Sequence, residues 1–435
     1  MLNSHPLRVE LHNEVHTRPR PPISAPHVMA HAAVMRVQAQ QNCPQGLIDW
    51  CTRQNVAPPL PNANHFSVTH GLRRLRFEGH GEFNEYTVYA AACEPQQPFA
   101  PNPADDWLQD LLSADPGEVI AAIRLAVISA DTLSPDHQKV AALFVTASES
   151  EGCELAAAGV CDNAAVLYSD FQLDATGFGR FLIVNQSARP TQIGHIVQDV
   201  IDMEVYRMMA MLAHPEAREL DSVLRELEAG LSGVVARLDF AETSEEPAIL
   251  QDVIRMAAEI EQLSTYSAYR LDAAVAYRRL VTKNLADLRE SRCEWLETPT
   301  QFLERRFEPA MNYCEAVNER LKSVSARVGR ASELLGTRTE IDRERQNQKL
   351  LAAMNQRAGV QLRLQETVEG LSIVAISYYS TGLLGYVFKA TEKAGAPVAY
   401  ELLTGLAVLP IVLAVRFFLH RSRHRINSAA LDEHS

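Results

Sequence analysis

Eight of the fourteen histidines fall within the first 80 residues, and two pairs among them have a spacing that could do chemistry. His12 with His16, and His27 with His31, are each four apart. On a helix that interval stacks two imidazoles on one face, as a divalent metal requires, and Glu14 could add a carboxylate. The intervening "HTRPRPP" opposes a helix, because proline removes an amide donor and restricts the residue before it. No complete ligand set with a characteristic spacing is visible. His12, Glu14, His16, His27 and His31 are the candidate metal ligands, and they read better as surface and capping residues.

A second set lies near the carboxyl end, in "SYYSTGLLG". Ser377, Ser380 and Thr381 share roughly one helical face, and Gly382 and Gly385 leave room for close approach. Such a face meets protein or water rather than lipid. It either packs against another helix or lines a water-filled pore with hydroxyls. Gly370 to Phe388 holds no charged side chain, which favours packing.

Other chemistry lacks its signatures. No G-x-G-x-x-G or G-x-x-x-x-G-K-[ST] offers to cradle a phosphate, and no G-x-S-x-G elbow presents a nucleophile. "DATGFGRF" (174–181) reads as a turn before a strand, and Glu204, Tyr206 and Arg207 as a packed, ion-paired helix face. The seven cysteines (43, 51, 93, 153, 161, 293 and 314) contain no C-x-x-C pair, so reduced thiols in a cytosolic domain fit best. The expectation is a protein that is not an enzyme and uses no cofactor. A net charge of -13 excludes general nucleic-acid binding, which needs clustered lysine and arginine.

The elements that must position these residues suggest an α+β chain of several parts, as 435 residues would imply. Residues 1–60 form a Pro/His-rich arm, with a short helix expected from Pro26 to Gln38. Residues 61–190 read as a mixed α/β domain. Its strands are "HFSVTH", "LRRLRF", "NEYTVYAA", "EVIAAIRLAVIS", "AALFVTAS", "AAVLYSDF" and "FGRFLIVN", and "EGHGEF" supplies a hairpin turn. Residues 191–367 read as an antiparallel, coiled-coil helical stalk. One helix ends at Pro215, a second runs to Phe240 and a third from about Ala248 to Leu296. Thr298 then caps a further helix with Pro299 in its first turn. Along that helix Leu303, Phe307, Ala310, Cys314, Val317, Leu321, Val324, Val328, Ala331 and Leu335 alternate spacings of four and three, the pattern of a coiled-coil seam.

Residues 368–420 read as a transmembrane hairpin, with spans at 368–388 and 399–419, followed by a basic tail at 421–435. The second apolar stretch contains only Arg416, near enough to its end to snorkel. Arg416, Arg421, Arg423 and Arg425 crowd the carboxyl end, whereas "KATEKAGAP" has two lysines and a glutamate. The positive-inside rule then puts both termini in the cytoplasm, and "MLNSHPLRVE" lacks the pattern of a secretory signal. The expected setting is a bacterial inner membrane, crossed more than once. The expected partners are the lipid bilayer and further copies of the chain, joined through stalk and first span.

The segments "HPLRVELHNEVHTRP", "MEVYRMMAML", "FLERRFEPAMNYC" and "RQNQKLLAAMNQRAGVQLRLQETVEGLSIVAISYY" resemble a bacterial domain-of-unknown-function family of uncharacterised membrane-anchored proteins. The resemblance covers nearly the whole chain and implies a membrane anchor, with no activity, cofactor or catalytic residue to carry over. The layout is also similar, more loosely, to CorA-type magnesium channels, which implies an oligomeric channel or transporter as the alternative to a tethered sensory or interaction domain. The Gly-Met-Asn signature of those channels is absent, since "LLGYVFKATEKAG" stands in its place.

Overall fold

The structure, a computed structural model, describes residues 20–37, 43–60, 63–91, 93–144, 154–240, 245–393 and 399–432, together with His5, Leu7, Arg8 and His12. The chain divides into two units, Met1–Glu333 and Leu334–Ser435.

The first unit is built on a nine-stranded sheet. Its strands are β1 (His27–Met35), β2 (His65–His70), β3 (Arg73–Gly79), β4 (Phe83–Ala90), β5 (Val119–Ser129), β6 (Ala156–Val160), β7 (Ala165–Leu173), β8 (Gly179–Asn185) and β9 (Ser291–Arg292). Their order is β2-β3-β4-β1-β5-β8-β7-β6-β9. Only β5 and β8 pair in parallel. The hairpin of β3 and β4 turns where "EGHGEF" was expected to turn it.

Two expectations are corrected here. The segment expected to be a helix from Pro26 to Gln38 contains β1, hydrogen-bonded to β4 on one side and β5 on the other. Alanine and methionine favour helix, but two full ladders and burial on both faces override that weak preference. "AALFVTAS" was expected to be a strand, yet its described part belongs to a helix, His137–Phe144, which buries Val140 and Phe144 four residues apart. The remainder of that stretch lies outside the described residues. β6, "AAAGV", and the two-residue β9 were not anticipated.

One face of the sheet carries the apolar core. Val28, Ala30, Leu75, Phe77, Tyr86, Val88, Leu182 and Val184 alternate inward along their strands and pack beneath α1 (Gln45–Arg53) and α2 (Pro103–Leu112). Trp50 and Trp107 of these helices meet edge to face at 4.9 Å. Asn102 and Asp105 form a capping box that fixes the start of α2. The helix His137–Phe144, α3, adds Phe144 to the same core.

The other face lies under α4 (Pro190–Met211), which packs in turn against α6 (Glu246–Leu288). A helix between a sheet and another helix must be buried on most sides, and α4 accordingly buries even Gln198, Asp199 and Glu204. The arm crosses its start. Ile23 N donates to Pro190 O at 2.9 Å, and a Cβ on Gly194 would fall 2.0 Å from Pro21 O. Only glycine leaves the arm this path.

Between α4 and α6 runs α5 (Ala213–Phe240), and α7 (Pro299–Lys393) follows β9. The third helix of the stalk ends at Leu288, with Arg289 left-handed at φ 49°, rather than continuing to Leu296. Its early end frees Ser291 and Arg292 to pair with β6. Thr298 caps α7 as expected, accepting from Gln301 N at 3.2 Å. Leu303, Phe307, Cys314, Val317, Leu321, Val324, Val328, Ala331 and Leu335 are all buried, with Met311 in the layer expected for Ala310. Arg320 pairs with Asp221 at 2.7 Å and with Glu228, both on α5, while Arg278 of α6 pairs with Glu308 and Glu315.

Replacing Leu321 and Val324 together by aspartate places two charges in this sealed layer. The expected result is a loss of at least about 3 kcal/mol, read as a fall in the thermal midpoint and helicity by circular dichroism. Unchanged melting would show that the layer tolerates water. Gly194→Val should displace the arm and speed its proteolysis near Arg20 while the sheet keeps its spectrum.

Candidate functional site

The strand registers set out a polar grid on the α4 face. One row runs His65, Glu78, Glu85 and Ala33 across β2, β3, β4 and β1, and the next runs Ser67, Arg76, Thr87 and His31. Glu78 and Glu85 are therefore directly opposed across a hairpin, and each is 4% exposed. Like charges so placed repel, and burial strengthens the repulsion.

Arg76 answers one of them, approaching Glu78 at 2.6 Å and also reaching Gln198 of α4. His65 Nδ1 lies 3.5 Å from the same carboxylate. Burial would raise the Glu78 carboxyl, but the hydrogen bond from His65 and the Arg76 guanidinium prevail and hold it at about 2. His80, in the turn, places Nε2 3.4 Å from Glu85. One ligand atom from each of Glu78, His80 and Glu85 lies within 4.8 Å of the other two.

Asp202 faces this group from α4. Gln198 donates to it at 2.5 Å, and its carboxyl is pushed up to about 7, first by burial and then by the charge of Glu85. Beside it Asp199 pairs with Arg20 of the arm at 2.9 Å. His31 completes the cluster. Its Nδ1 shares a hydrogen bond with Thr87 Oγ1 at 2.9 Å, and burial pushes the ring down to about 4, which keeps it neutral. Its Nε2 is sealed and has no hydrogen-bond partner among the described residues.

The histidine pairs suggested by spacing fare differently. His27 and His31 stand on a strand, where four residues span about 13 Å, so they cannot share an ion in the way a helix would allow. His12 is described, whereas Glu14 and His16 lie outside the described residues. Of the three that are described, His31 stands on the same face as the cluster, in the row next to that of Glu78 and Glu85. Glu78 and His80 were missed because "EGHGEF" reads as a turn, and Glu85 because it stands in the strand text "NEYTVYAA". The available signal was two acidic residues at mirror positions about that turn.

The second unit holds the hydroxyl-bearing face. Ser377 is buried, Ser380, Thr381 and Gly385 are half-buried, and Gly382 is exposed, one residue or about 100° past Thr381. A Cβ on Gly385 would sit 3.4 Å from Thr404 Cγ2 on α8 (Tyr400–Asp432). Thr381 Oγ1 donates to Ser377 O at 2.7 Å, within its own helix. Around this face Leu371, Val374, Tyr378, Tyr379, Leu383, Tyr386 and Val387 are exposed. Among the described residues α7 alone is long and apolar enough to cross a membrane, with an 18-residue stretch of mean hydropathy 1.4. The apolar part of α8, Thr404–Phe418, falls short of that length, so the second span is not confirmed.

A family model described as "Protein of unknown function (DUF3422)" matches residues 3–426. The chain belongs to the DUF3422 family. No curated protein and no solved structure matches it. The DUF3422 match takes in the polar grid, the seam and both apolar stretches, so all three sit within one family unit of sequence.

Arg76→Met should leave Glu78 without its guanidinium in a dry setting. The expected cost is about 3–5 kcal/mol, read as a lower urea midpoint. A midpoint unchanged from the parent would mean that water reaches this carboxylate.

Proposed function

We propose that the chain is a membrane-tethered protein, held in the inner (cytoplasmic) membrane by a carboxyl-terminal hairpin, with its sheet-bearing unit on the cytoplasmic side as a sensory or interaction domain. The single observation that carries this reading is the contrast around α7 between residues 371 and 388. Large apolar side chains are exposed on most of its circumference, and small or hydroxylated residues occupy the side that approaches Thr404. Water disfavours so much contiguous apolar surface, whereas lipid accepts it and leaves the small-residue face for helix contact.

Both termini lie in the cytoplasm on this reading, because arginines cluster after the second apolar stretch. The short apolar run of α8 lengthens to a span if Leu402, Leu419 and the flanking residues enter the interface and Arg416 snorkels. Copies of the chain associate through the helices before the span and through the first span itself. The Thr381 hydroxyl is engaged by its own backbone, which supports packing over a pore lining.

Reporter fusions at the amino terminus and after Ser435 should both give cytoplasmic signals, and one placed within residues 391–396 the opposite signal. A periplasmic amino terminus would sink the arrangement. Thr381→Leu should weaken helix association, seen as a lower oligomer mass in mild detergent. Should wild-type vesicles instead conduct ions, and the substitution abolish that flux at unchanged mass, the chain is a channel and the tether reading fails.

A further inference from the structure

We propose that the β3–β4 hairpin binds a divalent transition-metal ion between Glu78, His80 and Glu85. The hairpin register sets Glu78 and Glu85 face to face in a buried setting, an arrangement that a cation between them converts from repulsion to attraction. The ligand atoms of the three residues already lie within 4.8 Å of one another. Ligands bound at about 2.0–2.2 Å stand roughly 3–4 Å apart, so small side-chain rotations complete the shell.

Glu78 is bonded to the Arg76 guanidinium, Glu85 meets His80 Nε2 at 3.4 Å, and Arg36 donates to the His80 carbonyl at 2.7 Å. His31 stands on β1 two residues from Ala33, the register partner of Glu85; it is 1% exposed and its Nε2 lacks a hydrogen-bond partner among the described residues. The route in is at His80, whose side chain is 15% exposed where the Glu85 side chain is 5%. An imidazole beside carboxylates suits zinc or manganese better than magnesium or calcium, which prefer oxygen alone. Arg76 acts as an outer partner that holds Glu78 in place.

The full chain in detergent, stripped with EDTA, should bind one Zn²⁺ or Mn²⁺ by calorimetry, with Mg²⁺ failing to compete. Glu85→Gln and His80→Ala should each weaken binding by at least tenfold, and His12→Ala should leave it unchanged. Spin-echo modulation of the Mn²⁺-loaded wild type should show a coordinated imidazole nitrogen, a reading that does not depend on any variant folding. Absence of stoichiometric binding, a bound ion with no imidazole, or binding indifferent to both substitutions would overturn the proposal.

Discussion

A sheet covered on both faces has no water to offer its charges, and this chain nevertheless points many charged side chains inward. Each is settled by a specific partner. Arg180 of β8 meets Asp170 of β7, Arg124 of β5 meets Asp174 at 2.7 Å, Arg76 meets Glu78, and Arg20 of the arm meets Asp199 of α4. Because an unpaired buried charge costs several kcal/mol, these pairs help to hold neighbouring strands together and the arm against α4. The arm, α4 and the first four strands of the sheet form one electrostatic assembly in which removing any member strands the charge of another.

The strands that were legible in the sequence are those whose text is β-branched or aromatic. "HFSVTH", "NEYTVYAA" and "FGRFLIVN" advertise a pleated surface, and the structure pairs them. "HVMAHAAVM" and "AAAGV" do not, because their small side chains are chosen for tight inter-strand and helix-to-sheet packing, a demand visible only once the neighbours are known. The opposite error at "AALFV" has the same root, since an apolar run of that length satisfies either period. The polar grid was illegible for a different reason. Its members come from β1, β2, β3, β4 and α4, and only the register brings residues 31, 65, 78, 85 and 202 together.

The helical half was easier to read, since a three-four alternation is a statement about one face that needs no partner to be named. The residues of that alternation are buried, except that Met311 is buried in place of Ala310. Where the stalk helix ends was not legible. Arg289 adopts a left-handed turn without glycine, and the two residues after it add an edge to the sheet.

The central position of β1 has a consequence for synthesis. This strand ends at Met35, yet one of its ladder partners, β5, begins at Val119 and the helix that seals its histidine-bearing face begins at Pro190, so it leaves the ribosome well before either. At about 5–20 residues per second, roughly 10 s or more passes before that face can be covered. During this interval an alanine-rich strand with two open edges must be kept from pairing with other nascent chains. Its buried histidine helps, for at His31 an uncovered β1 is polar and hydrated, and it becomes part of a dry interior only when α4 arrives.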